Sequence, residues 1–150
     1  MELKADLWFP SIIFAGINED INFIISLESI DPDIQTDGQT LTYTGSSSDK
    51  SLVTVSTTST GPSSSDLIFD LKDNQNGEVD ITVTVTDNFD RGVDNETFTL
   101  TINAVNEAPS FLLGKHQSIK EDAGKISELK WATSMSPGPK DELSQELSFL

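Results

Sequence analysis

The chain has 150 residues, of which 25 are acidic and 9 basic, for a formal net charge of -16, and it contains no cysteine. That length suits one domain, or one domain and part of another. So negative a surface repels nucleic acid and anionic lipid while attracting cations, and the missing thiols exclude disulfides, cysteine catalysis and thiolate zinc sites.

Residues 1–9 read as a lead-in and residues 10–105 as a first domain. A first strand is expected over residues 12–17, and a second where Ile21, Phe23, Ile25 and Leu27 alternate with their neighbours. An acidic loop with Asp31, Asp33 and Asp37 follows. Leu41-Thr42-Tyr43, Leu52-Val53-Thr54-Val55 and Leu67-Ile68-Phe69 supply three short interior strands. Asn76-Gly77 is a turn signal before the clearest strand, Val79-Asp80-Ile81-Thr82-Val83-Thr84-Val85-Thr86. Its apolar residues fall at every second position, so one face is buried and a threonine face is wet. Residues 88–94 form a loop to Thr97-Phe98-Thr99-Leu100-Thr101-Ile102, with Ala104 continuing the buried face. Seven short strands with regularly spaced turn signals and no helical period predict an all-β fold, a seven-stranded antiparallel Greek-key β-sandwich. Apolar residues are only 35% of the chain, and this alternation is what argues against disorder.

Asn106-Glu107-Ala108-Pro109 reads as a linker, because proline ends a strand. The charge changes there. Residues 16–105 hold sixteen acids and three bases, and residues 106–150 seven and five. Beyond the linker the chain starts again. Pro10-Ser11-Ile12 recurs as Pro109-Ser110-Phe111, Glu19-Asp20 as Glu121-Asp122, and Leu41-Thr42-Tyr43 as Leu147-Ser148-Phe149. Three matches in order, about one hundred residues apart, suggest a tandem repeat. Residues 110–150 are therefore read as the first strands of an incomplete second repeat, expected to be poorly stable alone because it cannot bury both faces of a sandwich.

Residues 10–105 resemble the cadherin-like and immunoglobulin-like tandem repeats of large bacterial surface and secreted proteins, repetitive adhesins among them. The resemblance is carried by Asn18-Glu19-Asp20, Asp31-Pro32-Asp33, Gln75-Asn76-Gly77, Val85-Thr86-Asp87 with Gly92, and Val105-Asn106-Glu107-Ala108-Pro109. Residues 107–150 resemble a sister repeat type through Glu121-Asp122-Ala123-Gly124, Trp131-Ala132-Thr133 and Ser136-Pro137-Gly138-Pro139. The resemblance implies an extracellular or cell-surface location, an array of repeats, adhesive or spacing roles, and frequent calcium binding. In the cadherin pattern Glu19, Asp87, Asn106 and Glu107 match ligands at the base of a domain and in its linker, while Asp31 and Asp33 match a pair serving a preceding linker. The pair expected in the second repeat would fall at residues 133–138, which contain no acid.

Calcium takes six to eight hard oxygen ligands, so a site needs carboxylates converging from several loops. The metal candidates are Glu19, Asp20, Asp31, Asp33, Asp87, Asn106 and Glu107. Asp87, Asp90 and Asp94 are read as sharing one end of the sandwich with Glu19 and Glu107. The Asp31 loop is no EF-hand, since its sixth position is Thr36 and its twelfth Thr42. The simpler reading of Asp31-Pro32-Asp33 is a turn whose aspartates bond backbone amides, and that of the Asp87 loop a solvated acidic loop.

Nothing here predicts an enzyme. His116 is the single histidine, and no glycine-rich phosphate loop opens a helix. Trp8 and Trp131 are candidates for packing at a repeat junction or for stacking on sugar, and Asn95-Glu96-Thr97 fits a glycosylation acceptor. No apolar run approaches the roughly 18 residues that cross a bilayer, and the N-terminus lacks the pattern of a secretory signal, so any export signal is expected elsewhere. The expected partners are neighbouring repeats of the same polypeptide and a cell-surface glycan or protein, with no nucleic acid and no membrane insertion.

Overall fold

A computed structural model describes residues 6–8, 16–30, 38, 40–87 and 93–148. The chain divides into two compact units, Met1–Val105 and Asn106–Leu150.

The described residues of the first unit form eight strands: β1 (Asp6–Trp8), β2 (Ile17–Asn18), β3 (Phe23–Ile30), β4 (Leu41–Ser47), β5 (Val53–Gly61), β6 (Ser64–Leu71), β7 (Gly77–Asp87) and β8 (Val93–Asn103). They make two four-stranded sheets, ordered β1-β3-β6-β5 and β2-β8-β7-β4. The alternation read from the sequence is what joins them. In β7, Val79, Ile81, Val83 and Val85 are buried, and in β8 so are Leu100 and Ile102. Opposite them Ile25 and Leu27 of β3 and Leu67, Phe69 and Leu71 of β6 turn inward, and all belong to one core. Two sheets with apolar faces on a shared core make a β-sandwich.

Two features tie the sheets across that core. Phe69 stacks on Phe23 in its own sheet, with centroids 4.3 Å apart, and meets Phe98 of the other sheet at 6.5 Å. Tyr43 of β4 donates its hydroxyl proton to the Ser63 carbonyl (2.6 Å) and shares a second hydrogen bond with the Ser29 hydroxyl (2.6 Å). Buried polar tips of this kind need partners, and both of these come from the facing sheet and its β5–β6 turn. Gly45 of β4 sits where a Cβ would come within 2.6 Å of Leu67 and 2.7 Å of Val55, so the close approach of β4 to the facing sheet requires glycine there.

Several details depart from the sequence reading. β1 lies in the stretch read as a lead-in and pairs with β3. β2 runs parallel to β8, because the chain moves from the edge of one sheet to the edge of the other between residues 8 and 17. Ile21 is not on the buried face: it is 52% exposed and precedes β3. Ala104 is exposed too, since β8 ends at Asn103, whose carbonyl accepts the Glu19 amide. Most of the first expected strand, at residues 12–15, lies outside the described residues.

The described residues of the second unit form two strands, β9 (Ser110–Leu113) and β10 (Ala132–Ser136), paired antiparallel, and a 3-10 turn at Lys140–Glu142. Leu147 and Ser148, matched in sequence to the start of β4, are not in a strand, and Phe149 lies outside the described residues. Phe111, Leu112, Leu113 and Leu129 are all exposed.

Candidate functional site

In the first unit two acids, Glu19 and Asp20, hold loops together near the point where the chain leaves the sandwich. Glu19 follows β2, donates its amide to Asn103 (3.0 Å), and accepts the Val105 amide on Oε1 (2.7 Å). These bonds pull the carboxylate under the departing chain and leave the residue 1% exposed. Its second oxygen, Oε2, is buried and meets no hydrogen-bond donor. A buried carboxylate oxygen with no partner is costly, and a cation is the chemistry that offsets it.

Asp20, beside it, is exposed and left-handed (φ 65°), and its Oδ1 accepts the Asn74 amide (3.0 Å). Asn22 similarly accepts the Leu71 amide (2.9 Å). Asp20 thus joins two loops in the manner of a turn residue.

Asp87 does not share this end. Along β7, Gly77 pairs with Ile102, next to the Glu19 contacts, whereas Asp87 pairs with Leu41 and its neighbour Thr86 with Val93. Ten residues of extended chain separate the two ends, about 33 Å at 3.3 Å per residue. The grouping of Asp87 and Asp94 with Glu19 is therefore corrected by strand direction. The described flanks of the acidic loop, Ser29 and Leu41, hydrogen-bond Ser63 and Pro62 at the Asp87 end. Asp31, Asp33, Asp37, Asp90 and Gly92 themselves lie outside the described residues. Among the described residues, no three His, Asp or Glu side chains converge as a metal cluster.

Asn106 and Glu107 belong to the second unit. Asn106 is exposed; its Nδ2 donates to the Glu107 carbonyl (3.0 Å) and its Oδ1 accepts from Gln145 Nε2 (3.3 Å). The Glu107 amide donates to Glu142 Oε1 (3.0 Å). Asp141 and Glu142 were not among the sequence candidates. The only sign of them in the sequence is an acid pair three residues beyond the segment where the resemblance puts one.

Asp87 is itself buried at its end of the sandwich, whereas Asp49 and Asp70 are exposed. The Lys72 ammonium, 2.6 Å from Asp70, holds that carboxyl below the usual range, and the Ser51 hydroxyl does the same for Asp49. His116 is exposed. A cavity of about 490 Å³ opens between β4 and β5, lined by Thr40, Thr42, Tyr43, Thr57 and Ser59 among others, with no carboxylate or basic group among the described lining residues.

No protein-family model matches the chain, and no match is found among curated proteins.

Proposed function

We propose that this chain is a structural, adhesive or spacing repeat of an extracellular bacterial surface protein, with residues 10–105 forming a Greek-key sandwich of the cadherin-like or immunoglobulin-like kind. Its partners are neighbouring repeats of the same polypeptide, and calcium stiffens its acidic exit end. One observation carries the calcium reading: Glu19, almost fully buried, has a carboxylate oxygen that no donor reaches, at the point where the chain leaves the sandwich. Asn103 and Val105 fix the carboxylate there, and the surplus of acids around the unit raises the local cation concentration. The other oxygens a calcium ion needs would come from nearby loop carbonyls and water. The test is calorimetric titration of the full chain with calcium chloride, beside thermal melts with calcium and with chelator. A saturable heat and a higher midpoint in calcium are expected; identical melts at millimolar calcium and under chelation would refute the reading.

The second reading is a carbohydrate-binding module without metal dependence, favoured by the hydroxyl-lined cavity between β4 and β5. The described lining is dominated by hydroxyl groups, which suits a neutral, hydroxyl-rich ligand. Glycan-array binding lost in Thr57→Val would support it, and a silent array would remove it.

A further inference from the structure

Among the described residues β5 is the outermost strand of its sheet, beyond β6. Two backbone bonds fix which way its residues face. Just before β6, the Ser63 carbonyl accepts the Ser29 amide, so the odd-numbered residues of β6 bond β3 and the even-numbered ones bond β5. Just before β5, the Leu52 carbonyl accepts the Lys72 amide, which gives the same answer: Thr54, Ser56 and Thr58 bond β6. The amides and carbonyls of Val55, Thr57 and Ser59 therefore point away from the sheet. No described group bonds these backbone atoms there; the Thr57 and Ser59 hydroxyls turn elsewhere, to the carbonyls of Tyr43 and Gly61.

The other edges are short or held. β1 has three residues and β2 two. β4 ends the facing sheet, but its Leu41 amide reaches the Pro62 carbonyl (2.8 Å) and its Tyr43 carbonyl accepts the Thr57 hydroxyl (2.8 Å). β5 has nine residues, about 30 Å of chain at 3.3 Å per residue. Edges of that length are usually blunted by lysine, proline or a bulge. Residues 53–59 have none of these: the register is regular until the shift between Ser59 and Gly61, and residues 51–65 carry no charge at all.

We propose that β5 pairs with β5 of a second copy, antiparallel about a two-fold axis at Thr57. This register uses every outward group. Thr57 exchanges two hydrogen bonds with its counterpart, and Val55 exchanges two with Ser59 on either side, which satisfies three amides and three carbonyls in each chain. On the solvent face it sets Ser56 beside Thr58 and Thr54 beside Thr60. Such hydroxyl pairs suit facing strands, and Thr82 and Thr97 already make one within the chain (2.9 Å).

Charge selects a second copy at this edge and disfavours one elsewhere. Each copy carries a net charge of -16, so most approaches bring carboxylates together. Facing β5 strands oppose none. The acids beside β5, Asp66 and Asp70, sit one strand in on β6. Across the pair they stand three strand spacings apart, about 14 Å, beyond the screening length of about 8 Å at physiological salt. This side-by-side pairing of separate chains goes beyond the array of repeats proposed above, and it needs no calcium.

The test is sedimentation equilibrium of the full chain in chelator, from about 0.05 to 1 mM, with amide hydrogen exchange at both ends of that range. A monomer–dimer equilibrium is expected, tightening as sodium chloride screens the net charge. The Val55 and Thr57 amides should gain protection with concentration, while those of Ser56 and Thr58, held by β6, stay protected throughout. The double variant Ser56→Lys, Thr58→Lys sets like charges opposite each other across the axis, while position 58 faces Asp66 in its own sheet. It is expected to weaken the dimer roughly tenfold or more. Should that variant fail to fold, Ser59→Pro removes an outward amide without touching the bonds to β6, and the same loss is expected. A chain that stays monomeric to about 1 mM overturns the proposal. So does a dimer whose Val55 and Thr57 amides exchange as in the monomer, or one that neither variant weakens. A neutral peptide that protects those amides while the chain stays monomeric would also overturn it, making β5 an edge for a different partner.

Discussion

Replacing Glu19 by glutamine isolates the charge at the exit of the first unit. The glutamine carbonyl still accepts the Val105 amide, now served by Glu19 Oε1 at 2.7 Å, and the shape is nearly unchanged. The buried oxygen without a donor is exchanged for a neutral amide nitrogen. Burying an unpaired charge costs more than burying a neutral polar group, so without calcium the variant is expected to melt at or above the wild type. With calcium the order reverses. At about 10 mM, a site with Kd of about 10⁻⁴–10⁻³ M adds about 1.4–2.7 kcal/mol to the wild-type folded state. For a unit of roughly 100 residues each kcal/mol moves the midpoint by about 4–8 °C, so the wild type gains about 6–22 °C and the variant almost nothing. Differential scanning calorimetry of both chains, with calcium and with chelator, reads the difference directly. An equal calcium shift in the two would refute the assignment of the ion to Glu19.

Two further outcomes test the frame around that site. Phe69→Ala removes a fully buried ring that stacks on Phe23 and touches Phe98 across the core; a loss of about 3–5 kcal/mol is expected in urea unfolding. Tyr43→Phe strands the Ser63 carbonyl and the Ser29 hydroxyl, and is expected to cost about 1–3 kcal/mol. Burial also pushes the Tyr43 hydroxyl above its ordinary pKa of 10.0, so the folded chain keeps a proton that the unfolded chain releases. Stability from this group is therefore complete below pH 10 and falls as the pH rises past it. Melts between about pH 9 and 11 should show that fall in the wild type and lose it in Tyr43→Phe.

The strands were legible where one face is buried and the other wet. Val79, Ile81, Val83 and Val85 predict β7 to within two residues, because alternation cannot be hidden in any other pairing. The same pattern overran its strand at two places. Ile21 keeps the period but sits in a loop after the left-handed Asp20, and Ala104 keeps it beyond the point where the Glu19 amide captures Asn103. β5 runs on to Gly61 through a serine and threonine stretch that has no apolar signal, since its backbone bonds come from β6. The site was less legible because it depends on strand direction and distant contacts. Nothing local says that Glu19 meets Val105, 86 residues away, or that Asp87 points to the far end of β7. Glu142 was missed for a different reason: what distinguishes it is burial, and a polar turn in sequence carries no burial signal.

Glu19 and Glu142 use one device in separate units. Each is a glutamate more than nine-tenths buried, each gives one oxygen to a backbone amide at the end of its unit nearest the boundary, and each holds its other oxygen away from any donor. Hydrogen bonding alone does not account for this, because a serine or asparagine could accept either amide without burying a charge. Apolar burial does not account for it either, since leucine at these positions would leave the amides of Val105 and Glu107 unpaired. Under the calcium reading, a cation beside the buried oxygen of Glu19 offsets that charge. The calcium reading of Glu19 therefore makes a prediction about salt: raising sodium chloride should screen exposed pairs such as Lys72–Asp70 while leaving the response to millimolar calcium largely intact, because sealed oxygens are screened far less than surface ones.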